Sequence, residues 1–211
     1  MTSPADDATD ARPDTGLDDL ARLLGYVGAA DPATGLEEVA AEIYRLPFWT
    51  PEFCAVVVRA AEAVGAFVPH DDDPVPGEEV SLAVISPALF DAVQDDIGRR
   101  IWPRLQDRWP LIEYRGLRDA FVIRYVPGGQ ESLRLHQDVA QVSASVRLND
   151  GFDGGELHFP RQSYRNVDQP VGSLLAWPSL VTHPHEALPI RSGVKYGLTV
   201  WCELPGDVET Y

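Results

Sequence analysis

Hydrophobic and polar residues in the first half of the chain follow the three- and four-residue spacing that is typical of amphipathic helices. This pattern extends from Leu17 to about Val64 and predicts a helix over Leu36 to Tyr44. Residues 1–15 are acidic and carry few large apolar side chains, so we expect this segment to be disordered. Residues 16–110 are therefore predicted to form the helical part of the molecule.

Two helix starts are marked by local signals. Thr50 followed by Pro51 is typical of an N-cap and a first helical position, and it predicts a helix that continues to about Val64. Gly65 is expected to end that helix. Ser86-Pro87 predicts the start of another helix, which we expect to kink or end near Pro103, because proline cannot donate a backbone hydrogen bond.

The pattern changes after Asp119, where short runs rich in β-branched and aromatic residues are separated by Gly, Pro, Asn and Asp. Short strands that follow one another without intervening helices are typical of an antiparallel sandwich or barrel. The sequence therefore predicts an α+β, mainly β chain, with helices packed outside a C-terminal double-sheet barrel over residues 119–204. The six predicted strands are Ala120–Val126, Gln141–Asn149, Gly155–Pro160, Ser163–Asp168, Ser173–Trp177 and Lys195–Leu204.

Composition and charge limit the classes of partner. The 211 residues suffice for one domain, which we place at residues 16–211. A formal net charge of −16 disfavours nucleic acid, because phosphate binding needs a basic face. We expect no membrane association, since the N-terminal residues lack an apolar run and no stretch is long enough to span a bilayer.

Three smaller features have ordinary interpretations. Cys54 and Cys202 match neither a disulfide framework nor a zinc motif, so we expect two buried thiols in a reducing cytoplasm. The acidic, proline-bearing stretch from Asp71 to Glu79 is predicted to be a solvated loop. The oligomeric state is left open by the sequence.

Two histidines and an aspartate form the most specific chemical pattern. His136 and Asp138 are two positions apart, so on a strand both side chains would point to one face. Imidazole and carboxylate are the ligands of the 2-His-1-carboxylate site, which leaves positions open on a redox iron. His183 and His185 compete for the third position because they would share a strand face. We favour His185, since Lys195 follows it by ten residues.

Lys195 is the only lysine in the chain, and the other 16 basic residues are arginines. It begins the last predicted strand, which would place it deep beside the metal. A 2-oxoglutarate dianion bound to iron through one carboxylate needs a cation at the other, because an unpaired buried charge is very costly. Tyr125 is a candidate to donate its hydroxyl to the same carboxylate. The alternative for Tyr125 is a core aromatic residue with its hydroxyl satisfied elsewhere.

The segments around these residues form a recognisable set: Arg124-Tyr125-x-Pro127, Ser132-Leu133-Arg134-x-His136-x-Asp138, Leu148-Asn149, Gly154-Gly155, His183-x-His185-Glu186-x-Leu188-Pro189 and Gly193-x-Lys195-Tyr196. With this set the chain resembles the Fe(II)/2-oxoglutarate dioxygenases of the prolyl 4-hydroxylase-like superfamily, most of all the catalytic domain of procollagen lysyl hydroxylases. The resemblance covers about Ala120 to Glu203. It implies a double-stranded β-helix of the jelly-roll, cupin-like type. It also implies Fe(II) ligation by His136, Asp138 and His185, 2-oxoglutarate binding by Lys195, O2 as co-substrate and ascorbate as a candidate reductant.

Some positions depart from the family pattern. Lys195 stands where lysyl hydroxylases use Arg and prolyl hydroxylases use Lys, so the resemblance still implies 2-oxoglutarate binding. Ser145 replaces an Asn and is assigned to the 2-oxoglutarate pocket, whereas Gln137 replaces a His. For His158 the alternative is an outward-facing strand residue. The candidates for contacts with the substrate or with the metal ligands are His183, Gln137, Trp177 and His158.

The sequence thus predicts an Fe(II)/2-oxoglutarate-dependent dioxygenase. We expect it to hydroxylate an unactivated C–H of a free or peptidyl amino-acid side chain, coupled to decarboxylation of 2-oxoglutarate to succinate, in the cytoplasm. Collagen is a poor candidate substrate, because the glycosyltransferase regions of the animal enzymes and a secretory signal are not found. The alternative is a cupin-like metal-binding protein without oxygenase turnover, which would not need a buried cation at Lys195. A nucleic-acid demethylase is disfavoured by the charge and by the lack of recognisable paired arginines after His185.

Overall fold

The computed structural model describes residues 35–69, 75 and 77–205. Its strands are β1 (Glu37–Ala40), β2 (Ile43–Pro47), β3 (Glu79–Ser81), β4 (Leu117–Tyr125), β5 (Leu133–His136), β6 (Val142–Arg147), β7 (Asp153–Gly154), β8 (Leu157–Phe159), β9 (Tyr164–Arg165), β10 (Ser173–Pro178), β11 (His185–Ala187), β12 (Ile190–Ser192) and β13 (Lys195–Cys202). A large sheet has the order β1-β2-β10-β6-β13-β4-β3 and a small sheet the order β5-β11-β8-β9, while β12 pairs with β7. The predicted fold, a double-stranded β-helix with helices outside it, is confirmed.

The helices begin and end where local signals place them. They are α1 (Pro51–Val64), α2 (Leu82–Ile85), α3 (Pro87–Asp96) and α4 (Trp102–Gln106), and a π-helical turn over Ile97–Ile101 joins the last two. The Thr50 hydroxyl accepts a hydrogen bond from the Phe53 N–H at 3.2 Å, and Gly65 ends α1 in the left-handed conformation. The kink predicted near Pro103 corresponds to the π-helical turn, which comes just before this proline.

The two faces of the large sheet pack against different parts of the molecule. Val122 of β4 and Leu198 of β13 are fully buried in the main core, together with Val57 of α1. Because successive strand residues point to opposite faces, Phe121 and Ile123 of β4 face the other way and pack with residues of β11 and β12. The sheet therefore has one face that holds the helices and one face that is free to line a cavity.

One predicted element is wrong. Leu36 to Tyr44 was expected to be helical, but Glu37–Ala40 and Ile43–Pro47 are strands. The β2 strand pairs with β10 and extends the large sheet, so a tertiary contact overrides a short pattern that fits a helix and a strand almost equally well. The predicted disordered segment 1–15 and the helical pattern from Leu17 up to residue 34 lie outside the described residues.

All six predicted strands are present, with shorter bounds for most of them. Cys54 and Cys202 are both free and buried, as predicted. Burial raises the pKa of each thiol to about 12, so both are poor nucleophiles. Among the described residues, no helix combines the length and the apolar character that crossing a bilayer would require.

Candidate metal centre

The small sheet brings two histidines face to face. His185 of β11 pairs directly with His136 of β5 in the antiparallel register, and their ring centroids are 4.5 Å apart. The expectation that Asp138 shares a strand with His136 is wrong, because β5 ends at His136 and Asp138 lies in the following loop. That loop is held by a hydrogen bond from the Leu180 N–H to the Asp138 carbonyl at 3.1 Å.

The three side chains converge closely enough to share one ion. The distance from His136 Nε2 to Asp138 Oδ1 is 3.4 Å, and that from His185 Nε2 to Asp138 Oδ2 is 3.6 Å. One ligating atom from each of the three residues lies within 4.8 Å of the other two. In the described part of the chain, this is the one group of at least three His, Cys, Asp or Glu residues close enough to hold a metal ion. Two imidazoles and one carboxylate form the donor set that suits a non-haem iron with open positions.

Backbone carbonyls set the tautomer of both histidines. His136 Nδ1 lies 2.8 Å from the Arg134 carbonyl oxygen, and His185 Nδ1 lies 3.1 Å from the His183 carbonyl oxygen. A carbonyl can only accept, so each Nδ1 carries the proton and each Nε2 keeps its lone pair directed toward Asp138. Both rings are therefore oriented and protonated as metal ligands require.

The charge states also fit a cation. Burial alone would raise the pKa of Asp138, but His136, His185 and the nearby Ser143 hydroxyl together lower it, so the carboxylate is ionised. Burial lowers the pKa of His185 although Asp138 opposes this shift, which favours the neutral imidazole. Asp138 Oδ2 is buried and has no hydrogen-bond partner. An ionised buried oxygen without a partner is costly, and a metal ion would satisfy it.

Aromatic rings cover one side of the cluster. The ring of Trp177 lies 5.0 Å from the His185 ring, centroid to centroid, and that of Phe159 lies 5.3 Å from it. Trp177 is buried and lines the cavity described below, so this predicted candidate does reach the site. The side chain of Gln137 is exposed, lines the same cavity, and donates to the Val181 carbonyl at 3.4 Å.

Two other histidines point elsewhere. His183 directs Nε2 to the Ala41 carbonyl oxygen at 3.2 Å and Nδ1 to the Thr182 hydroxyl at 2.9 Å. The His183 side chain therefore contacts the turn between β1 and β2. Only its backbone carbonyl is linked to the three-residue cluster, through the hydrogen bond from His185 Nδ1. His158 pairs with Glu186 at 2.9 Å, on the face of β11 opposite to His185.

A cavity of about 450 Å³ opens beside the cluster, between the two sheets. Its lining includes His136, Asp138 and His185 from one side and alternate residues of β4 and β13 from the other. A surface groove of about 780 Å³, lined by Arg45 and Trp49 among others, shares no lining residue with this cavity and holds no part of the cluster.

Lys195 lines the same cavity. Its Nζ donates to the Gly155 carbonyl at 2.6 Å and lies 4.8 Å from the centroid of the Tyr125 ring. Loss of solvation on burial lowers the pKa of Lys195 to about 8, Arg147 adds to this effect, and Glu156 opposes it. Among the described residues Lys195 forms no ion pair, so its charge is available to an anion that enters the cavity.

Tyr125 and Ser145 accompany Lys195 in the cavity wall. Tyr125 pairs with Lys195 across β4 and β13, and its burial raises the pKa of the phenol, which stays protonated and able to donate. Ser145 of β6 pairs with Thr199 of β13 and lines the cavity beside them. The structure thus brings the three residues predicted for 2-oxoglutarate into the lining of one cavity.

Three charged residues of this cavity were missed, namely Glu79, Arg118 and Asp119. Glu79, predicted to end a solvated loop, instead begins β3 and is buried. Arg118 lines the cavity at the start of β4. Its position depends on how β4 pairs with β13, and a single sequence contains no signal for that register.

The comparisons with known proteins agree with this geometry. The family model described as the 2OG-Fe(II) oxygenase superfamily matches residues 120–203, which contain the three-residue cluster and Lys195. Over these residues the chain is similar to members of the 2OG-Fe(II) oxygenase superfamily. It is similar to a multifunctional procollagen lysine hydroxylase and glycosyltransferase of Rattus norvegicus, with 26% identity over 183 residues. The match covers 81% of this chain but 25% of that protein, so the chain spans about a quarter of the relative's length.

One further relative and two solved structures are also oxygenases or hydroxylases. A 2-oxoglutarate and iron-dependent oxygenase domain-containing protein of Xenopus tropicalis is 28% identical over 174 residues, which cover 75% of this chain and 48% of that protein. The collagen prolyl hydroxylase of Paramecium Bursaria Chlorella virus-1 superposes with a TM-score of 0.58 at 20% identity, covering 78% of this chain and 97% of that chain. A Pseudomonas putida prolyl-4-hydroxylase gives a TM-score of 0.59 at 18% identity, covering 80% and 96% of the two chains. At these identities the structural likeness establishes the fold, a prolyl 4-hydroxylase-like double-stranded β-helix.

Proposed function

We propose that this protein is an Fe(II)/2-oxoglutarate-dependent dioxygenase that hydroxylates an unactivated C–H of an amino-acid side chain. The observation that carries this proposal is the placement of His136, Asp138 and His185 around one point of a cavity that also contains Lys195. A binding protein for a divalent metal needs only the first three residues. The partly buried Lys195 has no carboxylate partner among the described residues, which supports the entry of a second, anionic group into the same cavity.

Each residue has a distinct role in this proposal. His136 and His185 present Nε2 and Asp138 presents a carboxylate oxygen, so together they would hold Fe(II) and leave positions open. Lys195 would bind the distal carboxylate of 2-oxoglutarate, assisted by the Tyr125 hydroxyl. When bound, iron and 2-oxoglutarate together supply the activation of O2 that hydroxylation of an unactivated carbon requires. Trp177 and Phe159 exclude water from one side of the site.

The test is the conversion of 2-oxoglutarate to succinate by chelator-treated protein. Activity is expected to return with Fe(II) and not with Zn(II), because sites of imidazole and carboxylate bind many divalent metals but only a redox metal supports this chemistry. Metal binding without succinate formation under any condition would move the protein to the class of cupin-like metal-binding proteins.

We also propose that the substrate is an amino acid or a peptide rather than a nucleic acid, and that the protein acts in the cytoplasm. The net charge of −16 supports the first statement. Two free, buried cysteines are compatible with the reducing environment that the second statement requires. Fractionation of the native host cells tests the location: enzyme found outside the cytoplasm would contradict it.

A further inference from the structure

Alternate residues of β4 and β13 form one continuous wall of the cavity. Lys195 and Tyr125 pair at one end of this wall, and Trp201 and Asp119 pair at the other. Lys195 and Trp201 are six residues apart, which corresponds to about 20 Å along a strand. The cavity is therefore long enough to hold two small molecules in succession, one at each end of the wall.

A β-bulge adds a charged side chain at the end opposite Lys195. Trp201 pairs with Asp119, whereas the next residue, Cys202, pairs with Leu117, so Arg118 is an extra residue on β4. In a regular strand, Arg118 and Asp119 would point to opposite faces. Both line the cavity, and the bulge accounts for this. Bulges beside functional sites commonly redirect a side chain in this way.

The contacts of Arg118 hold its guanidinium group in place without neutralising it. Nη1 donates to the Val139 carbonyl at 2.5 Å, and Cζ lies 5.9 Å from the centroid of the Trp201 ring. Arg118 forms no ion pair with any carboxylate in the described part of the chain, although several other arginines do, including Arg115 and Arg191. A positioned guanidinium that faces a cavity and has no carboxylate partner is suited to bind a carboxylate in a bidentate manner.

We propose that Arg118 binds the α-carboxylate of a free amino acid, which is the substrate of this enzyme. The inference rests on the function proposed above, and it selects a free amino acid over an internal residue of a peptide, whose α-carboxyl group is part of a peptide bond. Asp119 and Glu79 line the same cavity and give it the opposite charge that an α-ammonium group needs. Asp119 is oriented by hydrogen bonds from the Ala120 N–H at 2.7 Å and the Ser81 hydroxyl at 3.3 Å.

The size of the cavity agrees with this class of substrate. Its volume of about 450 Å³ lies in the range of small-molecule sites. The two cations then divide the cavity between two carboxylates, with Lys195 for 2-oxoglutarate and Arg118 for the substrate.

The experiment compares each of the twenty free L-amino acids with its carboxamide. Binding is measured by calorimetry on protein loaded with Zn(II) and 2-oxoglutarate, so that no turnover occurs, and succinate formation is measured separately with Fe(II). For the amino acid that binds best, the carboxamide is expected to bind about ten- to a hundredfold more weakly, the range for a lost charge-assisted hydrogen bond. The Arg118→Gln variant should bind both forms equally, and Arg118→Lys should recover part of the preference for the acid.

Arg115→Gln is the matched control. Arg115 lies three positions before Arg118, pairs with Glu113 at 2.8 Å at the surface, and does not line the cavity. This variant should keep the preference of the unaltered protein for the acid. If Arg118 only braces the Val139 carbonyl beside Asp138, Arg118→Gln will weaken metal binding and leave the preference for acid over carboxamide unchanged, which overturns the proposal.

The two measurements distinguish a failure of this inference from a failure of the proposed function. If 2-oxoglutarate is turned over but no free amino acid binds better than its carboxamide, the inference fails and the proposed function stands. If no succinate forms under any condition, the proposed function fails, and the binding experiment with Zn(II) still decides whether Arg118 recognises a carboxylate.

Discussion

At the scale of single residues, the proposed metal centre depends on three side chains, which form the one candidate metal-binding group among the described residues. Replacing His136, Asp138 or His185 by Ala should abolish succinate formation, because two ligands hold a divalent ion far less tightly than three. Iron content after dialysis, measured by mass spectrometry together with succinate, checks this. The bound iron should fall in all three variants.

His183→Ala is the matched control, since His183 is also a buried histidine and lies two residues from His185. Its ring bonds the β1–β2 turn rather than the cluster, so the variant should keep its iron and measurable turnover. Loss of iron in His183→Ala with retention in His185→Ala would show that the third ligand has been assigned to the wrong histidine.

Lys195→Ala removes the cation that we assign to 2-oxoglutarate. Leaving one partner of a buried ion pair alone costs about 3–5 kcal/mol, so the KM for 2-oxoglutarate should rise by orders of magnitude. Iron binding should survive because Lys195 is not a ligand. Lys195→Arg should be only partly tolerated, because a planar guanidinium does not match a pocket shaped for an ammonium group. An unchanged KM in Lys195→Ala would contradict the assignment.

The same residue predicts a dependence on pH. The pKa of Lys195 is lowered from 10.5 to about 8 in the folded protein without ligand, so the charge that binds the carboxylate is present below pH 8 and is lost above it. The affinity for 2-oxoglutarate should therefore be constant up to about pH 7 and decline above about pH 8, approaching tenfold per pH unit. Calorimetric titration with the Zn(II) protein between pH 7 and 9.5 measures this.

The Lys195→Arg variant is the control for this titration, because a guanidinium stays protonated throughout that range. Its affinity should not decline with pH in the same way. Equal pH profiles in the two proteins would show that another group titrates. In the absence of ligand, the lowered pKa also means that the free energy of unfolding should increase as pH rises from about 8 towards 10.5, since the unfolded chain retains the proton over that interval.

At the scale of elements, Gly155 lies in the short connection between β7 and β8, beside the Lys195 side chain. Its φ is +70°, and a Cβ atom added there would lie 3.1 Å from Lys195 Cδ. Gly155→Ala should displace the Lys195 side chain and raise the KM for 2-oxoglutarate severalfold, with little change in iron content. Gly151→Ala is a useful comparison, because it also has a positive φ but meets no atom within 4 Å. Equal effects of the two changes would attribute the result to backbone strain alone.

The elements also differ in how far the sequence predicts them. The bounds of α1 follow from Thr50, Pro51 and Gly65, which act on their immediate neighbours. The strands β1 and β2 could not be predicted in the same way, since the pairing of β2 with β10 joins residues more than 100 positions apart. The candidate ligands His136 and His185 were predicted from their residue types and spacing. Their direct pairing across β5 and β11 and the loop position of Asp138 required the structure.

The N-cap of α1 gives a prediction about stability rather than activity. Thr50→Ala removes the acceptor for the Phe53 N–H and should lower the free energy of unfolding by about 1 kcal/mol. Thr50→Ser keeps an acceptor and should be close to the unaltered protein. Urea denaturation measures both variants, and an identical loss in the two would show that the methyl group of Thr50, rather than its hydroxyl, stabilises the helix.

At the scale of the whole molecule, the main core and the candidate site lie on different faces of the large sheet. The helix-covered face of the large sheet holds the main core, and its other face, together with the small sheet, holds the metal cluster and the cavity. From the change of pattern after Asp119, the sequence predicted helices packed outside a C-terminal double-sheet barrel, but not which face of the large sheet holds the core. It did not predict Arg118 in the cavity, because the bulge arises from the register between strands about 80 residues apart in the chain.

The central claim is that one cavity binds a metal ion through His136, Asp138 and His185 and binds 2-oxoglutarate through Lys195. The most direct measurement is a crystal structure of the protein with Mn(II), as an unreactive substitute for iron, and 2-oxoglutarate. We expect an anomalous peak about 2.0–2.2 Å from the three ligating atoms and a distal carboxylate oxygen about 2.7–2.9 Å from Lys195 Nζ. A metal ion held by other residues, or 2-oxoglutarate bound with both carboxylates away from Lys195, would contradict it.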